Sequence, residues 1–213
     1  MTIWYTARGA GLAALVMLTL ATAAGALASA RLPAGALASA RLQPSPIRSA
    51  PTRVLLQYLH RSAAVAGLAL ILLHVTAILA DSYAGVGWLG AMVPFASGYR
   101  PGLVALGSIA AYLFVLVAAT GAARGRLTRS PEAVRLWRGL HLSAYLAWAV
   151  SALHGFTIGS DSDLAWARWL YLGCVVAVAG SLALRLAYRT RPRRPEAASS
   201  VVSPPTKVKE LVS

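Results

Sequence analysis

The chain has 213 residues, of which 58% are hydrophobic and only 12% are charged. A soluble domain is roughly 45–50% apolar and about 25% charged, so this composition indicates a membrane protein with the lipid bilayer as its partner. The formal net charge of +14 raises the question of nucleic acid binding, but the arginines stand in short runs between apolar segments. That distribution is typical of membrane-protein loops, and we expect no nucleic acid partner.

Five apolar segments are long enough to cross a bilayer, which takes about 20 helical residues. In chain order they are residues 3–30, 52–80, 102–123, 133–159 and 164–188. The sequence therefore predicts an all-α integral membrane bundle of five transmembrane helices, forming one domain over residues 1–190. Residues 191–213 are rich in proline, serine and charge, which predicts a disordered cytoplasmic tail.

The connecting segments predict how these helices are oriented. Arginine is concentrated in the first and third connections and in the C-terminal tail, whereas the second and fourth connections carry only Arg100 and Arg168. Cytoplasmic segments of membrane proteins carry the excess of Lys and Arg, so we expect the N-terminus outside and the C-terminus in the cytoplasm. The second and fourth helices then run parallel in a multi-pass protein of the plasma (inner) membrane.

The four histidines of the chain all fall in the second and fourth predicted helices. Ionisable residues inside a membrane segment are costly and are candidates for function, the alternative being histidines that hydrogen-bond a neighbouring helix. At about 1.5 Å per residue, His60 and His74 are about 21 Å apart, and His141 and His154 about 20 Å apart. Neither pair can chelate one ion, which excludes a zinc site of adjacent histidines.

Each histidine does have a partner at its own depth on the parallel helix. His60 faces His141 near the cytoplasmic side, and His74 faces His154 near the outer side. Two facing imidazoles can hold an iron from both axial directions, so the pattern predicts two haems with all four histidines as metal ligands. On an ideal helix His60 and His74 share a face, whereas His141 and His154 lie about 140° apart.

Other residues of these helices are candidates for cofactor contacts. Arg61 and Arg138 suit the carboxylates of haem propionates, although plain positive flanking explains them equally well. Trp148 lies midway along the second pair, either between the haems or packed in the core. Gly67 lies midway along the first pair and would let a flat ring approach. Arg8, inside the first helix, is expected to snorkel rather than reach an outer propionate.

Three stretches together resemble the ferric reductase-like transmembrane family, whose relatives include the membrane part of the NADPH oxidases: "LHRSAAVAGLALILLH", "DSYAGVGWLGAMVPFASGYRP" and "WRGLHLSAYLAWAVSALHGFTIGSD". That family carries two histidine pairs, spaced fourteen and thirteen apart, that ligate two haem b groups. The resemblance implies these roles for His60, His74, His141 and His154. One departure is Leu142, where many family members have a basic residue.

The resemblance implies a diheme b-type membrane protein, an oxidoreductase component that carries electrons across the plasma membrane. Many relatives continue into a flavin and nicotinamide domain, but this sequence has no Gly-rich phosphate loop placed after a strand. We therefore expect a separate donor, a cytoplasmic flavoprotein reductase or a membrane quinol, and an outer-face acceptor such as ferric iron or a periplasmic protein. Two alternatives stay open: the haem subunit of a periplasmic methionine sulfoxide reductase system, and a non-haem membrane transporter or assembly protein.

Overall fold

The computed structural model describes residues 2–30 and 49–189, and every regular element in these ranges is a helix. The helices are α1 (Thr2–Ser29), α2 (Ser49–Ala80), α3 (Gly87–Met92), α4 (Pro101–Ala122), α5 (Arg124–Leu127), α6 (Pro131–Ile158) and α7 (Ala165–Arg189). The five long helices match the five predicted segments to within a few residues. The short helices α3 and α5 were not predicted, and the expected tail lies outside the described residues.

Four of these helices are long and apolar enough to cross a membrane: α1, α2, α4 and α7. The chain is therefore a multi-pass membrane protein. The α6 helix has 28 residues, about 42 Å of helix. Its length is sufficient, but its first turns carry Glu132, Arg135 and Arg138, and its two histidines lower the mean hydropathy of the rest. The fifth span and the orientation of the termini remain predictions.

Local sequence signals fix where α4 and α6 begin. The hydroxyl oxygen of Ser130 accepts a hydrogen bond of 3.2 Å from the backbone N–H of Ala133, and Pro131 occupies the first helical position. Both features favour a helix start, because the cap satisfies a free N–H group and proline lacks one. The α4 helix likewise starts with Pro101. These starts set the height of every later side chain on the two helices.

The α1 helix is the most buried of the long helices, with half of its most apolar window inside the protein. It packs on α2, α6 and α7, while α4 packs on α6. Its buried residues are nearly all alanine or threonine, which let membrane helices approach closely. Gly67 of α2 serves the same approach: a Cβ there would lie 2.8 Å from the Leu18 side chain. Gly67 therefore faces α1, which corrects the expectation that it makes room for a flat ring.

A core cluster joins α1, α4, α6 and α7 at mid-height; its buried members are Leu15, Leu18, Phe114, Ala147, Trp148, Tyr171, Cys174 and Val178. Trp148 donates its indole N–H to the Thr19 hydroxyl at 2.9 Å. Thr19 in turn donates to the Leu15 carbonyl at 2.7 Å. The polar end of the buried tryptophan is therefore satisfied, and the middle of the bundle is packed side chain against side chain.

Candidate functional site: two histidine levels

The two histidines of α2 both rest on the backbone of α1. The Nδ1 atom of His60 lies 2.8 Å from the carbonyl oxygen of Ala21, and that of His74 lies 2.7 Å from the carbonyl oxygen of Ala7. A carbonyl oxygen only accepts hydrogen bonds, so Nδ1 is the donor in each ring. In a neutral imidazole this leaves the Nε2 lone pair available for another partner.

The two histidines of α6 face the backbone of α4 in the same manner, but unequally. The Nδ1 atom of His154 lies 2.7 Å from the carbonyl oxygen of Leu103. The Nδ1 atom of His141 also faces the carbonyl oxygen of Val117, but this contact does not reach hydrogen-bond geometry, so Nδ1 is buried without a well-formed bond to any described residue. Both histidines therefore reach α4, although thirteen positions leave them about 140° apart on an ideal helix.

A glycine lies under each imidazole, four residues after the carbonyl that the ring faces. We call each carbonyl and its glycine a seat; the four seats are Ala7 with Gly11, Ala21 with Gly25, Leu103 with Gly107, and Val117 with Gly121. A Cβ would lie 3.0 Å from the ring of His74 at Gly11, 3.0 Å from His60 at Gly25, 2.7 Å from His154 at Gly107 and 3.5 Å from His141 at Gly121. In the three tightest seats, a larger residue would push the imidazole away.

Sequence reasoning missed these glycines, although a signal was present. The two seat glycines of α1 and the two seat glycines of α4 are each fourteen positions apart, which is also the spacing of His60 and His74. A neighbouring helix with glycines at the spacing of the two histidines indicates a surface that both imidazoles can contact.

The structure brings the histidines together in the expected combinations. The ring centres of His60 and His141 are 6.1 Å apart, with 72° between the ring planes. His74 and His154 line one cavity of about 570 Å³. No group of three or more His, Cys, Asp or Glu that could hold one metal ion occurs in residues 2–30 and 49–189. Each level thus offers two imidazoles, with neighbouring rings for His60 and His141 and a shared cavity for His74 and His154.

An ion pair lies at one end of the cavity that His74 and His154 share. The Nε atom of Arg8 donates to a carboxylate oxygen of Asp161 at 3.0 Å, and Nη2 donates to the other oxygen. Both side chains line the cavity and are largely buried. Arg8 therefore does not snorkel as expected. It ties α1 to the loop that follows α6.

The remaining predicted site residues lie in two different environments. Arg61 and Arg138 are exposed and make no ion pair with any described residue. Trp148 is buried in the core at a height between the two histidine levels. Contacts of these three side chains with a cofactor stay predictions.

Fold and site together define a helical, multi-pass membrane protein with two levels of facing histidines. The family model for the ferric reductase like transmembrane component matches residues 24–152, which is more than half of the chain. The chain belongs to this family, and it is accordingly a membrane oxidoreductase component of a family that typically binds haem in the membrane. The matched region contains His60, His74 and His141. No curated protein and no solved structure gives a significant match to the chain.

Proposed function

We propose that the protein is a diheme b-type membrane protein that carries electrons across the plasma membrane. His60 and His141 would be the axial ligands of the inner haem, and His74 and His154 those of the outer haem. The observation that carries this proposal is the seating of the imidazoles. Histidines that bind a metal usually donate their other ring N–H to a carboxylate or carbonyl, which fixes the tautomer and the ring orientation.

The inner level has dimensions that suit a shared iron. If the two imidazoles held one metal between them, a metal–nitrogen bond of about 2.0–2.1 Å and a ring centre about 1.1 Å behind each nitrogen would put the ring centres about 6.2–6.4 Å apart. The observed separation between His60 and His141 is 6.1 Å. Two rings on a common axis can be rotated to any angle about it, so the 72° between their planes is compatible with such a pair.

The outer level offers a cavity in place of a direct ring contact. Its volume of about 570 Å³ lies within the range of about 300–1,000 Å³ that is typical of ligand sites. Gly11 and Gly107 line it beside the two histidines. Most of the remaining lining is apolar, with Leu12, Ile71 and Phe114 among its side chains, so a flat apolar group between the rings would meet hydrocarbon rather than water.

The chain's own residues would hold the two levels in place. When bound, haem supplies one-electron redox chemistry whose potential depends on its axial ligands and their hydrogen bonds. The seats on α1 and α4 orient the imidazoles, and the length of α2 keeps the levels about 21 Å apart. The packed core around Trp148 excludes water between them. Arg61 and Arg138, near the inner level, would pair with carboxylates there.

The same arrangement supports α6 as the fifth span. Its two histidines lie level with those of α2, which is long and apolar enough to cross the bilayer. The arginine distribution supports a position of the inner level toward the cytoplasm. A flavoprotein reductase or a membrane quinol would deliver electrons to it, and ferric iron or a periplasmic protein would receive them beyond the outer level.

The test is the haem content of the purified protein, with each histidine replaced in turn. The wild type should bind two haems per chain and give a bis-histidine b-type reduced-minus-oxidised spectrum. His74→Ala and His154→Ala should lose the same haem, and His60→Ala and His141→Ala the other. The pairing is the informative result, because random destabilisation would not sort the four variants into these two classes.

The control is Ser62→Ala, an exposed position beside the inner level that should retain both haems. Well-folded wild-type protein without haem, from cells with a normal haem supply, would contradict the proposal. So would four alanine variants that all keep full haem content and stability. That second outcome is the one expected for a non-haem membrane protein with structural histidines.

A further inference from the structure

His141 is the exception among the four histidines, and Thr120 explains why. The Thr120 hydroxyl donates to the Val117 carbonyl at 2.9 Å, and that carbonyl also accepts the helical N–H of Gly121. A carbonyl oxygen has two lone pairs, so none is left for His141. The other three seats have no side-chain donor at the corresponding position, which is occupied by Ala10, Ala24 and Leu106.

A different contact holds the ring of His141. Trp137, one turn earlier on α6, stacks on it with ring centres 5.2 Å apart and 15° between the planes. The Trp137 indole N–H donates to the Thr120 carbonyl at 3.0 Å, which fixes the tryptophan against α4. The guanidinium of Arg124 lies 5.0 Å from the Trp137 ring centre. His141 is thus held by a stack that carries a positive charge.

We propose that Thr120, Trp137 and Arg124 are positioning residues that make the inner level easier to reduce than the outer level. This inference rests on the proposed function, and it concerns a difference between the two levels that haem binding alone does not require. All three residues act through His141. Thr120 removes its acceptor, Trp137 fixes its ring, and Arg124 supplies charge.

Two physical effects point in the same direction. A hydrogen bond from Nδ1 to a carbonyl makes an imidazole a stronger electron donor, which favours oxidised iron. Three ligands have that bond and His141 does not, so the inner level is less biased toward the oxidised state. Nearby positive charge favours the reduced state. Arg124 supplies such a charge at the inner level, whereas the charge of Arg8 at the outer level is neutralised by Asp161.

The experiment is a redox titration of the purified haem-loaded protein in detergent, comparing Thr120→Val with Thr120→Ser. The wild type should show two midpoint potentials, and the higher one should persist in His154→Ala, which retains only the inner haem. Thr120→Val frees the Val117 carbonyl for His141 without changing the side-chain volume. It should lower the inner potential and leave the outer potential unchanged. Thr120→Ser keeps the hydroxyl and should match the wild type.

A second variant, Arg124→Gln, covers the case in which Thr120→Val does not fold. Arg124 is exposed, and its replacement should also lower the inner potential alone. The inference is overturned if two haems are bound and the inner potential is the lower one. It is equally overturned if the folded variants shift neither potential or both alike. Those results leave the proposed function standing, whereas a wild type that binds no haem removes both.

Discussion

The α1–α2 pair and the α4–α6 pair are built on one plan, with a different result. In each pair one helix carries glycines fourteen apart and the other carries two histidines that rest on them. The histidines of α2 are also fourteen apart, and a Cβ would lie 3.0 Å from the ring in both α1 seats. Those of α6 are thirteen apart, and the corresponding distances in α4 are 2.7 and 3.5 Å. Where glycines and histidines have the same spacing, as in α1 and α2, both rings contact their seats equally closely. Where the spacings differ by one residue, as in α4 and α6, one ring is packed tightly and the other loosely.

The largest effect that follows from this difference is expected at Gly107. A Cβ there would lie 2.7 Å from Cε1 and 2.9 Å from Nε2 of His154, so Gly107→Ala must displace the ring from the Leu103 carbonyl. Overpacking of this kind costs about 1–3 kcal/mol, and it moves the proposed ligand. We expect haem content to fall to about one per chain, with loss of the outer haem. Haem assay and thermal unfolding would measure both effects.

The matched variant is Gly121→Ala, in the loose seat of the same helix. The nearest ring atom of His141 would be 3.5 Å from the new methyl group, which is ordinary contact. Alanine also favours a helix over glycine by about 0.5–1 kcal/mol, so this variant should keep both haems and its stability. Gly173→Ala, where a Cβ meets open space, controls for helix propensity. Equal losses in the Gly107 and Gly121 variants would refute the difference between the seats.

The positions of the five long helices could be predicted from the sequence, because a helix that crosses a membrane requires a long run of apolar residues. The four histidines could also be identified as candidate functional residues, since ionisable residues in such apolar runs are rare. The seats were missed, because a backbone carbonyl carries no side-chain signature, and the fourteen-residue spacing of their glycines is informative only when it is compared with the spacing of the histidines. The role of Gly67 was misjudged for the same reason: the sequence shows that space is available but not which neighbour fills it. Arg8 found its partner in Asp161, 153 positions away, a contact that no local pattern contains.

The second effect concerns the ion pair that joins α1 to the loop after α6. Arg8→Ala leaves the Asp161 carboxylate, largely buried, without its two charged donors. Loss of such a charged hydrogen bond costs about 1.5–3 kcal/mol, measurable as a lower free energy of unfolding in detergent. The control is Arg135→Ala, whose pair with Glu132 is 73% exposed on both sides and should matter little. If the two variants were equally stable, the Arg8–Asp161 pair would not stabilise the contact between α1 and the loop after α6.

The smallest effect concerns the hydrogen bond at mid-height that Trp148 of α6 donates to Thr19 of α1. Trp148→Phe keeps an aromatic ring in the core but removes the N–H donor. Thr19 loses an incoming bond only, because its own hydroxyl still donates to Leu15. We therefore expect a loss of about 0.5–1.5 kcal/mol in unfolding free energy, while Thr19→Ser, which keeps the acceptor, should cost less. The haem spectrum of the same variant separates two roles for this residue. If Trp148 only joins α6 to α1, its replacement leaves both haem signals unchanged. If it lies against a cofactor, its replacement changes them.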